Sequence, residues 1–214
     1  MAPLPALPSG ELWLKQARVA SWPDVGDREA ALVQRCASGD ETASEELVAD
    51  HQRAVVKLAT NLLGDREEAL DLSQEVFLRV FRTIHRFRGQ SSLRTWIYRI
   101  AVNQARNRHR FWRRRHRADQ VSLDQHVAAH GDVFSGFGPT PERVLAQKEL
   151  AGRLHDALER LPFDQRTAIV LREVDGLSYE EIAFSLGLAV GTVKSRLTRA
   201  RQALRAELHD ARTM

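Results

Sequence analysis

Residues 178–199 read Ser-Tyr-Glu-Glu-Ile-Ala-Phe-Ser-Leu-Gly-Leu-Ala-Val-Gly-Thr-Val-Lys-Ser-Arg-Leu-Thr-Arg, and this stretch decides the fold. Ser178 followed three residues later by Glu181 has the form of a capping box, in which serine and glutamate each take an N–H of the other's backbone. A short helix, Tyr179–Leu186, then ends at Gly187, a residue free to take positive φ in a tight turn. A second helix starts near Val190-Gly191-Thr192. Ile182, Ala183, Leu186, Leu188, Val193 and Leu197 have the spacing that locks two short helices at a steep angle.

On that second helix Val193, Leu197, Ala200 and Leu204 share the inward face, leaving Thr192, Lys194, Ser195, Thr198, Arg199 and Gln202 outward or flanking. Between Gly191 and Ala206 lie five basic residues and no acid. Base edges need donors and small hydroxyls near a helix N-terminus, and phosphates need cations. The pattern predicts a helix-turn-helix over Tyr179 to Arg199 that reads duplex DNA. A plain helical hairpin with a solvated basic face is the alternative, and the coincidence of turn, capping box and one-sided charge weighs against it.

Working outward, Pro162 ends a preceding helix, Asp164 is placed to cap the next, and Gly176 to close it. Val144, Ala151, Leu154, Leu158 and Leu161 form one apolar stripe, so a C-terminal module spans 142–210. Residues 118–141 break the helical pattern with Gly131, Gly136, Gly138, Pro139 and Pro141, and 114–141 reads as a linker. Upstream, 27–113 is helical throughout, with Gly39-Asp40 and Gly64-Asp65 as helix ends followed by caps. Its buried stripes are expected at Leu70, Phe77, Val80, Phe81 and Ile84, then at Leu93, Trp96, Ile97, Ile100 and Ala101, with Ser92 as N-cap of the second. Residues 1–26 hold four of the seven prolines and two of the four tryptophans, and read as a poorly ordered extension with a short helix around 11–20. The expected fold class is all-α: two small helical domains joined by a flexible linker.

The stretch Arg79–Arg117 contains thirteen arginines, no lysine and no acid, interleaved with Phe81, Phe87, Trp96, Tyr98, Phe111 and Trp112. Cations for a phosphate path and flat rings for unstacked bases suit single-stranded nucleic acid, although Phe81, Phe87 and Trp96 each fit a plain core equally well. Just before it the sign reverses. Asp65, Glu67, Glu68, Asp71 and Glu75 share a stretch whose one base is Arg66, a surface that repels DNA and suits a protein partner.

The bulk composition narrows the class. At 214 residues, 43% hydrophobic and with net charge +4, the chain can build real cores, and the location of its charge matters more than the total. The lone Cys36 excludes an internal disulfide and a cysteine-rich zinc site, and reads as a helix core residue. No run of 18 apolar residues is present and no basic segment leads into an apolar one at the start, so a cytoplasmic protein without membrane insertion is expected. His51, His85, His109 and His116 are not spaced with acids as metal or acid–base sets, so no catalytic residue, metal or cofactor is assigned. A helix-turn-helix regulator acting without a polymerase stays open on the C-terminal module alone, but leaves the arginine–aromatic stretch without a role.

Three segments carry a family resemblance: Asp71-Leu-Ser-Gln-Glu-Val-Phe77; Phe87-Arg-Gly-Gln-Ser-Ser-Leu-Arg-Thr-Trp-Ile-Tyr-Arg-Ile-Ala-Val-Asn103; and Asp175-Gly-Leu-Ser-Tyr-Glu-Glu-Ile-Ala183 with Val190-Gly-Thr-Val-Lys-Ser-Arg196. They resemble bacterial RNA polymerase sigma factors of the extracytoplasmic-function (group IV) type, near the sigma-E branch, over about 28–208. The resemblance implies a promoter-specificity subunit acting in transcription initiation, with region 2 in the first module and region 4 in the second. It implies that Leu70, Asp71, Gln74 and Glu75 dock on the clamp helices of the polymerase beta-prime subunit, with the beta flap as a further contact. Phe87, Arg88, Gly89, Gln90, Ser91, Ser92 and Leu93, with Trp96 and Asn103, match the pocket for a flipped base of the minus-10 element. Thr192, Lys194, Ser195, Thr198 and Arg199 match the minus-35 reader. An anti-sigma factor, and control by an envelope or other stress, are expected from the resemblance. An aromatic is common in this branch where the chain has Thr198, and an acid where it has Gln90.

Overall fold

A computed structural model describes residues 27–118 and 141–210. The expected helix at 11–20 and the glycines and prolines of the linker before Pro141 lie outside the described residues, as does the side chain of Val144. Eight α-helices, and no strand, are seen among the described residues: α1 (Asp27–Ala37), α2 (Glu41–Leu63), α3 (Arg66–Thr83), α4 (Leu93–Ala118), α5 (Pro141–Arg160), α6 (Phe163–Ile169), α7 (Tyr179–Leu186) and α8 (Val190–Asp210). A 3₁₀ turn, Ile84–Arg86, follows α3, and a π turn, Val170–Val174, follows α6.

The punctuation is physical. Asp40 accepts from the Ala43 N–H and Asp65 from the Glu68 N–H, while Gly64 ends α2 at φ 81° and returns its N–H to the Thr60 carbonyl. Ser92 caps α4 by accepting from the Thr95 N–H at 3.2 Å, and Glu29 of α1 accepts from the Leu93 N–H. The aspartate at 164 is not the cap of α6. Pro162 occupies that position, and Asp164 stands in the first turn, where its charge suits the helix dipole.

Two stripes differ in phase from the sequence reading. On α3 the buried residues are Ala69, Leu72, Ser73, Val76, Phe77 and Val80, while Leu70 is 38% exposed. On α5 Ala157 and Leu158 are buried and Leu154 is exposed. Apolar residues at i and i+1 are both compatible with a 3.6-residue period, and only the position of the neighbouring helix selects between them. Cys36 is buried, and burial pushes its thiol up from its ordinary value.

The two expected helical modules are both present, and they close on one another, sharing one contiguous apolar core from Leu32 to Ala200. α7 lies along α4, and the ends of α5 and α6 meet α2. Arg166 is the keystone of that second contact. Its buried guanidinium donates to the Leu62 carbonyl at 3.0 Å, the Glu159 carbonyl at 2.6 Å and the Leu161 carbonyl at 3.5 Å, so it caps the carbonyl ends of α2 and α5 together, where helix dipoles favour a cation. Leu47, Leu58, Leu62 and Leu72 are fully buried, each worth about 1.5–3 kcal/mol of hydrophobic stabilisation. The seam is less well satisfied. Arg106 Nε, Arg166 Nε, Asp175 Oδ2 and Arg196 Nη1 are buried without a protein hydrogen-bond partner, a cost of about 1–3 kcal/mol for each such group.

Candidate nucleic-acid interface

The turn motif forms as its residues dictate. The Ser178 hydroxyl accepts from the Glu181 N–H at 3.1 Å, and the Glu181 carboxylate accepts from the Ser178 N–H at 2.8 Å. Gly187 takes the left-handed conformation, φ 65° and ψ 42°, which a β-carbon would penalise. From there α8 leaves with Val193, Leu197 and Ala200 buried. Thr192, Lys194, Ser195, Thr198 and Arg199 are all exposed on the other side. Ser195 and Thr198 rest their hydroxyls on the Thr192 and Lys194 carbonyls, at 2.9 and 3.0 Å, bonds a rotamer change can exchange for a base edge. The Lys194 ammonium sits 5.8 Å from the Tyr179 ring centre.

The loop before α4 is a second, differently built surface. Phe87 follows the 3₁₀ turn and packs on Trp96 with ring centres 5.4 Å apart, tilted by 59°. Gly89 turns the chain at φ 65°, leaving Arg88 and Gln90 exposed. Asn103, seven residues beyond Trp96, lies on the same side of α4 and is exposed. Ser91 and Leu93 are instead buried, Ser91 donating to the Ser92 carbonyl at 3.1 Å. They hold the loop from within.

The arginine-rich run is not free of carboxylates once folded. Arg108 pairs with Glu68 and Glu75, both at 2.7 Å; Arg106 faces Asp164 at 3.6 Å and Arg94 faces Asp175 at 3.9 Å. Arg99 lies over the Phe184 ring. Tyr98 is buried and donates to Asp175 at 3.0 Å, so it is no platform for a base. Burial first, then the Asp175 charge, pushes its phenol up to about 12. Among the described residues the run presents Arg79, Arg82, Arg86, Arg88, Arg94, Arg110 and Arg113–Arg115 to solvent, with Phe111 and Trp112 exposed among them.

On α3 the acidic face carries Leu70, Asp71, Gln74 and Glu75, all exposed, and Leu78 extends it one turn further at 56% exposure. Apolar leucines at i and i+8 flanked by carboxylates suit a protein surface more than DNA. Among the described residues no three His, Cys, Asp or Glu side chains are grouped to hold a metal ion, and no helix is long and apolar enough to cross a membrane. The residues that escaped the sequence reading are Thr95, Asp175 and Arg166. Their partners lie 86, 77 and 104 positions away, and no local pattern marks them.

Comparison with known proteins follows the same two-module division. The Sigma-70 region 2 family matches residues 47–117, and the Sigma-70, region 4 family matches 151–204. RNA polymerase sigma-H factor of Pseudomonas aeruginosa is 38% identical over 178 residues, 83% of this chain and 92% of that protein. The ECF RNA polymerase sigma-E factor of Haemophilus influenzae is 40% identical over 176 residues, covering 81% of this chain and 92% of that one. The chain belongs to the extracytoplasmic-function (ECF) sigma factors of RNA polymerase. Among solved structures, CnrH in complex with the cytosolic domain of CnrY aligns with a TM-score of 0.63 at 29% identity, over 86% of this sigma factor and 99% of that chain. RpoE in complex with the anti-sigma factor NepR, from Bartonella quintana, gives a TM-score of 0.62 at 27% identity, over 77% and 96%. As a sigma factor the protein directs core polymerase to promoters, its helix-turn-helix lying in region 4.

Proposed function

We propose that the exposed face of α3 docks this sigma factor on core polymerase through Leu70, Asp71, Gln74 and Glu75, against the beta-prime clamp helices. The loop Phe87–Leu93, with Trp96 and Asn103, then takes an unstacked base of the minus-10 element, and Thr192, Lys194, Ser195, Thr198 and Arg199 read the minus-35 duplex. The domains divide as 27–113 and 142–210, with the intervening chain crossing the polymerase. The beta flap takes part of the second module. The protein works in the cytoplasm, catalyses nothing itself, and is restrained by an anti-sigma factor, as the solved relatives' complexes suggest.

The observation that carries this reading is the pairing of two unlike surfaces on one chain. An exposed helix of hydroxyls and cations suits duplex DNA, and a tilted Phe87–Trp96 wall beside exposed arginines suits a separated strand. Extruding a base costs a few kcal/mol and stacking returns about 1–3 kcal/mol, so opening depends on both modules being held in register. Run-off transcription with purified core polymerase and genomic promoter fragments tests it. Promoter-dependent transcripts are expected only when the sigma factor is added; none on any fragment overturns the reading.

A further inference from the structure

We propose that Arg108 of α4 is a positioning residue for polymerase docking, fixing the Glu75 carboxylate on the exposed face of α3 in the orientation that core polymerase meets. This rests on the docking reading above.

Arg108 belongs to the arginine-rich run, yet its side chain is only 18% exposed and reaches across to α3. One terminal nitrogen donates to the Glu68 carboxylate at 2.7 Å and to the Glu68 carbonyl at 2.9 Å. The other donates to Glu75 Oε1 at 2.7 Å. These partners lie 40 and 33 positions away in sequence, so neither pairing is the ordinary contact between successive turns of one helix. Bonds between a guanidinium and a carboxylate are charge-assisted and about twice as strong as neutral ones. The planar fork sets direction as well as distance, because its two ends are rigidly disposed.

The two glutamates are held unequally. Glu68 is 31% exposed and gives the guanidinium two acceptors, whereas Glu75 is 50% exposed and gives it one. Glu68 is the anchor, and Glu75 is the group being held. Among the described residues nothing donates to Glu75 Oε2, so one oxygen stays available to a partner. Glu75 shares its exposed face with Leu70, Asp71 and Gln74. Asp71, the other carboxylate of that set, meets no cation among the described residues.

A free surface glutamate samples many rotamers, and a partner has to order it on binding. Arg108 does that ordering beforehand. Its positive charge works the other way, since it subtracts from the acidic face that draws a basic partner. Screening confines that long-range loss to about 8 Å at physiological salt, while the fixed geometry acts at contact, so ordering outweighs it. The same guanidinium ties the docking helix to the helix carrying Trp96 and Asn103.

A double-mutant cycle on the full chain tests the assignment. Titrations of N-terminally labelled protein with purified core polymerase, at physiological salt, compare the parent, Arg108→Ala, Glu75→Ala and the double variant. Thermal melts check that each is folded. Arg108→Ala is expected to weaken binding about three- to tenfold, and to do nothing further once Glu75 is alanine. Arg108→Lys keeps the charge without the fork, and is expected to fall with Arg108→Ala; should the alanine variant not fold, it carries the same comparison in both Glu75 backgrounds. Unchanged or tighter binding by Arg108→Ala overturns the proposal, as does parental affinity in Arg108→Lys. An equal loss with and without Glu75 also overturns it, because Arg108 then acts through something else. If Glu75→Ala and Leu70→Ala both bind as the parent does, the docking reading itself fails and the positioning role with it. If those two weaken binding but Arg108 shows no dependence on Glu75, the docking reading stands and the positioning role alone fails.

Discussion

Helices α4 and α8 are the two arginine-bearing helices proposed to meet DNA, and they are built on opposite principles. In α8 the labour is divided by face: Val193, Leu197 and Ala200 hold the fold, while Thr192, Lys194, Ser195, Thr198 and Arg199 stand in solvent. In α4 the same side chains serve structure and surface together. Trp96 packs on Phe87, Tyr98 and Arg94 reach Asp175, Arg106 reaches Asp164, and Arg108 crosses to α3. α8 packs on α5, α6 and α7 through one face and keeps the other for reading. α4, packed on α2, α3 and α7, has little face left over.

The largest test of this contrast is Tyr98→Ala against Thr198→Ala. Both residues lie in helices rich in arginine and near proposed DNA contacts. Tyr98 is fully buried, and truncating a buried aromatic costs about 3–5 kcal/mol, whereas Thr198 is exposed and its loss should stay within about 0.5 kcal/mol. Urea unfolding of the two variants decides it. Equal midpoints would break the comparison, because α4 would then be as divided by face as α8.

A smaller effect is expected at Trp96. Replacing it with alanine removes a stacking platform worth about 1–3 kcal/mol per base, so open-complex formation on a promoter falls about tenfold. The same change also removes the Phe87 contact, about 0.5–1.5 kcal/mol beyond buried area, and so lowers stability. Permanganate footprinting of the melted strand and a thermal melt together test the double role. Loss of melting with no loss of stability would show that the ring belongs to the surface alone.

The contrast also explains what the sequence could and could not show. The turn motif was legible nearly to the atom, because its determinants lie within a few residues of one another: Ser178 with Glu181, Gly187 with Ala183 and Phe184. Helix ends at Gly39-Asp40 and Gly64-Asp65 were legible for the same reason. The phase of the α3 stripe was not, since placing Leu70 outside depends on where α2 and α4 stand. Nor was the fate of the arginines, whose carboxylate partners Glu68, Glu75, Asp164 and Asp175 lie in other elements. The expectation of an arginine surface clear of acids failed for Arg94, Arg106 and Arg108. The assignment of individual side chains to minus-10 and minus-35 contacts rests on motif matching, to which the structure adds exposure and neighbours.

Arg199→Ala sharpens the α8 half of the comparison. If this guanidinium meets a phosphate, its loss weakens binding to all duplexes alike and lowers the salt dependence by about one counterion. If it meets a base, discrimination at one minus-35 position relaxes by about 1–3 kcal/mol and the salt slope holds. Binding isotherms of holoenzyme on matched and mismatched minus-35 sites, at several salt concentrations, separate the two. Stability should not move in either case, and a large fall in melting temperature would place Arg199 among the structural residues.

The smallest effect concerns pH and returns to the seam. His109 of α4 stacks on Phe163 of α6 with ring centres 4.7 Å apart. Burial first, then the guanidiniums of Arg166 and Arg113, hold its pKa below the ordinary 6.5, against a weaker opposing pull from Asp164. The closed form thus favours the neutral ring and binds fewer protons than the unfolded one between that depressed value and 6.5. By linkage the stabilisation is complete above about 6.5 and is lost as pH falls through the window beneath it. His51, also held down chiefly by burial, acts in the same sense; Asp175, raised chiefly by burial from 3.8, acts in the opposite one, and Tyr98, pushed up to about 12, weakens the closed form only as pH climbs above 10. Melting temperatures measured from pH 7.5 down to 5.5 should therefore fall, and His109→Gln should flatten part of that slope while leaving the neutral-pH value close to its parent. A slope the substitution does not change would mean that the ring pairs with Phe163 without being desolvated by it, and that the α4–α6 edge of the seam carries no proton-linked term.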